Sequence, residues 1–162
     1  MKIAKEVIDD VLYDLYNEIY IQKAQIIKKD EFIEKTITSY KFKGAFFVPG
    51  SLHLKKDTGH INLNDYTSCL SQLAYVGIAQ LLKQKPGIVE GIDYDLFKNK
   101  KINVAVGEFF FRPRSIVNEK DFTSELDMKY LKKWKKTYFL NADYKVENKP
   151  YGLVTYAFNL NQ

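Results

Sequence analysis

The sequence predicts an α+β fold in which a curved antiparallel sheet wraps around one long helix. Apolar residues near the N-terminus repeat at helical spacing, which indicates an amphipathic first helix. A later segment is apolar nearly all round, as expected for a helix that other structure covers. About four consecutive segments then alternate apolar and polar residues, a pattern typical of strands. A helix, one or two strands, a buried helix and a run of strands together favour the α+β class.

The composition indicates a single globular domain over residues 1–162. With 46% hydrophobic and 28% charged residues, the chain has the composition of a folded protein rather than a disordered one. Its longest apolar run, residues 73–79, is too short to span a membrane. The N-terminus lacks the apolar core of a signal peptide, and the single cysteine, Cys69, provides no disulfide framework. We therefore expect a cytoplasmic protein without a membrane partner.

The formal net charge of +5 is compatible with a negatively charged partner, such as nucleic acid, the phosphates of coenzyme A, an acidic carrier protein or a membrane surface. A solvated lysine-rich surface explains the same charge without any partner. The segment KYLKKWKKTYF, residues 129–139, mixes lysines with aromatic residues, as nucleic-acid-binding segments do. Because no accompanying motif supports nucleic-acid binding, alternating lysines that protect a sheet edge explain this segment better.

The first predicted helix is followed by a strand. The apolar residues of this helix recur at helical spacing and are Ile3, Val7, Ile8, Val11, Leu12, Leu15 and Ile19. In TITSYKFKGAFFV the apolar residues alternate with small or polar ones, and they are Tyr40, Phe42, Phe46 and Val48. This alternation predicts a half-buried strand, and Pro49-Gly50 marks a turn after it.

The central helix has the clearest start and end. Asn62 suits its N-cap, and Asp65 follows three residues later, as in a capping box. One apolar stripe runs through Leu63, Tyr66, Leu70, Leu73, Ala74, Gly77 and Leu81. Pro86-Gly87 ends the helix. We expect a loop over residues 86–101, and then strands in INVAVGEFFFR, DFTSELDMKYL, KTYFLNADYKV and GLVTYAFNL.

A second stripe on the central helix is polar and consists of Ser68, Ser71, Gln72 and Tyr75. Polar groups on a covered helix need partners. These side chains either bond to backbone and sheet groups or form one wall of a ligand pocket. On the same helix, Gly77 permits the close approach of another backbone, at a packing or dimer contact.

His60 and Asp65 flank the predicted start of the central helix. One interpretation is helix capping with a surface imidazole. The other is chemical, because exposed N–H groups at a helix N-terminus can stabilise an oxyanion and a nearby histidine can act as a general base.

The arginines form a second candidate feature. Both arginines of this lysine-rich chain, Arg112 and Arg114, lie in FFFRPRS. The planar guanidinium suits a carboxylate or a phosphate, although an arginine lying over aromatic neighbours explains the segment equally well. Two histidines and one cysteine form no metal-ligand cluster, so no metal is expected.

The segments DTGHINLNDY and CLSQLAYVGIA together resemble the FcoT-type fatty acyl thioesterase family, which has similar residues at the same spacing. The resemblance implies the hot-dog fold, in which an antiparallel sheet wraps a long helix, and assembly as dimers or higher homo-oligomers. The residues that match are His60, Asn62, Gln72, Tyr75 and Arg112. Ser71 stands where the family has an asparagine, and LHLKK stands where it has a tyrosine.

The resemblance implies an enzyme acting on fatty acyl groups carried on coenzyme A or an acyl carrier protein. The reaction is either hydrolysis of the thioester or, as in related members of isonitrile lipopeptide biosynthesis, addition of glycine to the β-carbon of a 2-enoyl thioester. A non-catalytic acyl-thioester or lipid-binding module is the alternative. No cofactor is expected. The catalytic candidates are His60, Asp65 and Ser71. The substrate-binding candidates are Asn62, Leu63, Gln72, Tyr75, Arg112 and Arg114.

Overall fold

A computed structural model shows one long helix packed on an antiparallel sheet. The structure describes residues 9–14, 27–35, 40–48, 63–84, 87, 91–99, 102–112, 121–135, 137–146 and 151–160. Three helical segments are described, namely α1 (residues 9–14), α2 (Leu63–Gln84) and α3 (Tyr94–Lys98). Among the residues described, none of the helices is long and apolar enough to cross a membrane.

Both predicted helices are helical over the residues that the structure describes. Helix α2 begins at Leu63, directly after the predicted cap, and ends at Gln84, just before Pro86-Gly87. The cap itself, Asn62, lies outside the described residues. Residues 9–14 of the predicted first helix are helical, and Val11 is fully buried in the core. The remaining positions of that first helix lie outside the described residues, so its full extent stays a prediction.

The loop expected over residues 86–101 was wrong in part, because it contains the short helix α3. Asp93 caps this helix, and its side chain accepts a hydrogen bond from the Leu96 backbone N–H at 2.7 Å. Phe97 anchors the helix in the core with 1% of its surface exposed. A five-residue helix is too short for a periodic apolar pattern, so tertiary packing and the cap decide its formation.

Within the described residues, six strands form one sheet, β1 (Ile27–Lys35), β2 (Tyr40–Phe47), β3 (Ile102–Arg112), β4 (Asp121–Trp134), β5 (Thr137–Val146) and β6 (Tyr151–Leu160). Their order is β1-β2-β4-β5-β6-β3, and each of the five pairings is antiparallel. The four strands predicted after the central helix are therefore confirmed, as is the strand from Tyr40. The alternation that predicts a strand in DFTSELDMKYL is also found in β4, where every second residue is buried, namely Phe122, Ser124, Leu126 and Met128.

Helix α2 packs on the apolar face of β2 and β4. Leu70, Leu73 and Leu82 are at most 1% exposed, and full burial of each such side chain contributes about 1.5–3 kcal/mol. A Cβ on Gly77 would lie 3.1 Å from Phe42 and 3.2 Å from Met128. The close approach expected at this glycine therefore involves side chains of the sheet.

The lysine-rich segment forms the second half of β4. The strand order places β4 between β2 and β5, so β4 is an interior strand of the described sheet. The interpretation that its lysines protect a sheet edge is therefore not supported. The pairing of β4 with β2 is described up to Tyr40 and Met128, and its pairing with β5 up to Trp134 and Thr137. The residues that precede Tyr40, 36–39, lie outside the described residues.

Candidate active site

The N-terminal end of α2 carries a buried group of ionisable side chains. Asp65 lies in the first turn of the helix and is 1% exposed, and Cys69, one turn later, is fully buried. Tyr66 lies beside them and is 4% exposed. We call these three residues the Asp65 cluster. Their positions in the first two turns bring them close to the N–H groups that have no partner within the helix.

Two side chains of the Asp65 cluster have raised pKa values. Burial raises the pKa of the Cys69 thiol well above its ordinary value, and the neighbouring Asp65 carboxylate raises it further. Burial also raises the pKa of the Tyr66 phenol, and the Cys69 side chain adds to that shift. Cys69 and Tyr66 are therefore neutral at physiological pH, which makes the thiol a poor nucleophile.

Aromatic contacts fix this end of the helix against the sheet. The Tyr66 ring meets Phe122 of β4 edge-on, with 6.1 Å between the ring centroids. Phe122 in turn stacks on Phe46 of β2 at 5.4 Å. Such ring pairs add about 0.5–1.5 kcal/mol beyond the area that they bury. The position of Asp65 relative to β2 and β4 is therefore held by a packed aromatic cluster.

The polar stripe of α2 lies at the boundary between core and surface. Gln72 is 2% exposed, whereas Ser68, Ser71 and Tyr75 are half-buried. The Ser68 hydroxyl donates to the carbonyl of Asn64 at 3.0 Å, which is the backbone-bonding interpretation of this stripe. Asp65 and Gln72 are seven residues apart on one helix, which is about 10 Å along its axis.

Tyr75 at the far end of the stripe packs against α3. Its ring lies 4.4 Å from that of Phe97, and its hydroxyl donates a long hydrogen bond of 3.5 Å to the Phe97 carbonyl. Burial raises the pKa of this phenol, so it is a hydrogen-bond donor at physiological pH. The contact gives Tyr75 a structural role in holding α3 against α2.

The described residues include only part of the predicted site. His60, Asn62 and Arg114 lie outside the described residues. Leu63 is the first residue of α2, and Arg112 is the last residue of β3, where it pairs with Tyr151 of β6. Asp65, Ser71, Gln72 and Tyr75 all lie on α2, where Asp65 and Gln72 share one face and Ser71 lies about a third of a turn away from it.

Sequence reasoning missed the roles of several buried groups. Tyr66 was assigned only to the apolar stripe and Cys69 was set aside, although each lies within four residues of Asp65 on the same helix. A second buried polar pair joins Ser124 of β4 and Tyr144 of β5, whose hydroxyls are 3.0 Å apart. The i, i+4 spacing of Asp65 and Cys69 was a signal in the sequence. The Ser124–Tyr144 pair depends on strand register and has no local signal.

The arrangement at this helix end suits chemistry on a carbonyl group. The positive end of a helix of 22 residues stabilises a negative oxygen, and a buried carboxylate can accept a proton there. Within the described ranges, no group of three or more histidine, cysteine, aspartate or glutamate side chains is placed to hold a metal ion.

Comparisons with known proteins agree with this architecture. A family described as the FcoT-like thioesterase domain matches residues 11–149. A candidate thioesterase from Syntrophus aciditrophicus has a similar structure, with a TM-score of 0.54, 11% identity, and coverage of 96% of this chain and 97% of that chain. A hypothetical thioesterase from Streptococcus pneumoniae, solved with coenzyme A, has a TM-score of 0.50, 7% identity, and coverage of 96% and 98%. These two similarities establish the fold alone. No curated protein matches the chain.

Proposed function

The chain belongs to the FcoT-like thioesterase domain family, and we propose that it is an enzyme that hydrolyses fatty acyl thioesters carried on coenzyme A or on an acyl carrier protein. The observation that carries the proposal is the buried carboxylate of Asp65 in the first turn of α2. The N–H groups of the first turn favour a negative charge at this position. A carboxylate held there can accept a proton from water beside a carbonyl that the same helix end activates.

In the proposed reaction, the thioester carbonyl lies over the first N–H groups of α2. These groups and the helix dipole stabilise the negative charge that develops on the carbonyl oxygen. Water attacks the carbonyl carbon, and its proton passes to a base. The tetrahedral intermediate then expels the thiolate, which takes up a proton, so the products are a fatty acid and a free thiol.

Asp65 and His60 share the proton transfer in this proposal. Either His60 accepts the proton of water and Asp65 orients it, or Asp65 is itself the base. Ser71 is a further catalytic candidate from the middle of the polar stripe. Because Asp65 is 1% exposed, the low dielectric around it strengthens its electrostatic interactions and its hydrogen bonds.

The remaining candidates bind the substrate in this proposal. We propose that Asn62, Leu63 and Gln72 contact the acyl and thioester groups. Tyr75 would do so with the part of its side chain that is not packed on Phe97. Arg112 and Arg114 offer planar cations to a phosphate of the carrier. We further propose that residues 1–162 form a single hot-dog domain, which assembles as a homo-oligomer in the cytoplasm.

The test measures the products formed from a series of acyl-CoA and carrier-bound acyl thioesters. Free thiol is detected with a chromogenic reagent and the acyl product by mass spectrometry. We expect saturable release of free thiol and fatty acid without any added amine. In a parallel reaction with added glycine, a mass gain of one glycine on an intact 2-enoyl thioester contradicts hydrolysis and assigns conjugate addition. Saturable binding of every substrate without turnover identifies a binding module.

The same assay tests the base with a His60→Ala variant. If His60 accepts the proton, kcat falls by about 10²–10⁴-fold, as for other general bases. His53→Ala is the matched control, because it removes the other histidine of the chain, and we expect its kcat to remain within about twofold. An unchanged rate in His60→Ala leaves Asp65 as the base.

A further inference from the structure

The turn between β4 and β5 concentrates the positive charge of the chain. We call residues 129–136, KYLKKWKK, the basic tip. The basic tip holds five of the 25 basic residues and no acidic one, so the remaining 20 basic residues balance the 20 acidic residues. The net charge of residues 129–136 therefore equals that of the whole chain, although Lys129 pairs with Asp143 of β5.

The basic tip also carries the only tryptophan of the chain. Trp134 is 59% exposed, although it is the largest apolar side chain available for the core. It forms the last described β4–β5 pair, with Thr137, and two residues separate this pair in the sequence. The Lys135 ammonium lies 5.0 Å from the centre of the Trp134 ring. An exposed indole and a cation thus occupy the same turn.

The fold does not account for the residues of this turn. Lys135 has a left-handed backbone with φ 55°, a conformation in which glycine or asparagine is less strained than lysine. The stability of the hairpin therefore favours a different residue, and burial does not require an indole at Trp134. Both choices are explained if these side chains bind something outside the chain.

The position of the basic tip separates it from the candidate active site. Tyr66 of α2 meets Phe122 of β4, and Gly77 further along α2 lies against Met128, so α2 and β4 run in the same direction. Trp134 comes twelve residues after Phe122, up to about 40 Å along the strand. The tip thus lies towards the C-terminal end of α2 and away from Asp65.

We propose that the basic tip is a docking element for an anionic lipid bilayer surface. Indole rings favour the boundary between water and hydrocarbon, and lysines near an anionic leaflet are attracted to it. A two-residue turn presents a small, convex contact, which suits a plane better than it suits the broad surface of a protein partner. Binding single-stranded nucleic acid uses several stacking rings along a groove, whereas this turn carries one.

This inference revises the expectation of no membrane partner, and it is independent of the proposed hydrolysis. Docking through the tip leaves the Asp65 end of α2 directed away from the bilayer. The protein would attach peripherally and reversibly, since a single ring and a few lysines give weak, salt-sensitive binding. Attachment would hold the enzyme at a surface without blocking its candidate site.

The test uses the whole protein and the fluorescence of its single tryptophan. Vesicles of phosphatidylcholine alone are compared with vesicles containing 30 mol% phosphatidylglycerol, at low and at high salt. We expect a blue shift of the Trp134 emission and co-sedimentation only with the anionic vesicles, both of which are lost at high salt. Equal binding to the two kinds of vesicle, or no binding to either, overturns the proposal.

Two variants localise the effect. Lys135→Glu is expected to lower the vesicle partition coefficient by about 30-fold, because a change of two charge units at an anionic surface is worth about that factor. Lys145→Glu makes the same charge change at an exposed position outside the tip and is the matched control, with little expected effect. An equal loss in both variants points to net charge alone and overturns the assignment to the tip.

Trp134→Ala is expected to reduce co-sedimentation severalfold while hydrolysis of a water-soluble acyl-CoA stays unchanged. Size-exclusion chromatography with light scattering checks for the other occupants. If Trp134→Ala dissociates an oligomer, the ring packs against a second copy of the chain and the proposal is wrong. Tighter binding of a random oligonucleotide than of anionic vesicles at equal salt assigns the tip to nucleic acid and also overturns it.

Discussion

The two ends of helix α2 hold their charged residues in opposite ways. At the C-terminal end, Lys83 pairs with Asp10 of α1 at 3.0 Å and lies 5.1 Å from the Tyr94 ring centre. Beside it, Asp14 of α1 accepts a hydrogen bond from the Tyr94 hydroxyl at 2.8 Å and pairs with Lys98 at 3.3 Å. We call these five residues the α1 clamp. They are partly exposed and joined to one another.

The N-terminal end instead buries its acid. Asp65 is 1% exposed and lies among Tyr66, Cys69 and the rings of β2 and β4. Partly exposed ion pairs contribute about 0–1 kcal/mol to stability each. The α1 clamp therefore has the character of a structural joint, whereas our proposal assigns the Asp65 cluster to the reaction.

Replacing the buried acid gives the largest expected effect. In Asp65→Asn we expect kcat for acyl-CoA hydrolysis to fall by at least about 100-fold, because the proton acceptor, or the group that orients it, is lost. The melting temperature should fall little, since a neutral amide is less costly to bury than a carboxylate. Steady-state kinetics measure kcat, and thermal denaturation measures the melting temperature.

The matched control is Asp10→Asn, which makes the same chemical change in the α1 clamp. Its side chain is 65% exposed, so neither kcat nor stability should change much. If the two variants have similar rates, Asp65 takes no part in the reaction and the functional difference between the two ends of α2 disappears.

Substitution of Cys69 tests whether the chemistry at this end of α2 depends on a reactive thiol. Because burial and Asp65 raise the pKa of Cys69, we expect the folded protein to react with thiol reagents only when it unfolds. Cys69→Ala should lower the free energy of unfolding by about 1–1.5 kcal/mol, as for the loss of one buried methyl-sized group. Its kcat should remain within about twofold of the native value.

A contrary result would be a rapid reaction of the native thiol together with loss of activity in Cys69→Ala. That outcome would make Cys69 a nucleophile and would require a solvent path to the Asp65 cluster. Chemical denaturation, thiol titration and kinetics on the same sample distinguish the two cases.

The sequence predicted the elements better than it predicted their contacts. Period-two alternation from Tyr40 and along β4 identified strands and their buried faces, because each pattern is complete within one element. Helix α3 was missed, since its five residues are stabilised by the Asp93 cap and by Phe97 packing. Its capping residue was the one local signal that was available.

The candidate site was predictable along α2 and unpredictable across elements. The i, i+3 and i+4 positions of Asp65, Ser68, Gln72 and Tyr75 follow from helical geometry alone. The contact of Tyr75 with Phe97 joins residues from different elements, and so does that of Tyr66 with Phe122. Such contacts depend on how α2 lies on the sheet, which no single segment of sequence encodes.

Within the α1 clamp, Asp14 should make stability depend on acid pH. Burial raises the pKa of Asp14, but the hydrogen bonds from Tyr94 and Lys98 outweigh it, so the pKa lies below its ordinary value of 3.8. A lowered pKa means that the contribution is complete above the unfolded-state value and is lost as the pH falls through the folded-state value. Asp14→Asn should therefore lower the free energy of unfolding by about 1 kcal/mol at pH 7.

The difference between Asp14→Asn and the native chain should vanish towards pH 2. Urea denaturation at several pH values between 2 and 7 measures this difference, with Asp9→Asn as an exposed control on the same helix. A difference that stays constant down to pH 2 would show that the loss comes from packing rather than from the charge of Asp14.

The smallest effect is expected for Lys83, whose partner Asp10 is mostly exposed. Lys83→Met removes the charge that pairs with Asp10 and lies over the Tyr94 ring, so the free energy of unfolding should fall by about 0.5 kcal/mol. The loss should shrink further at 1 M salt, where screening has already weakened the native ion pair. A loss above about 2 kcal/mol would mean that the α1 clamp holds a desolvated charge like that of Asp65, and the two ends of α2 would then differ in degree rather than in kind.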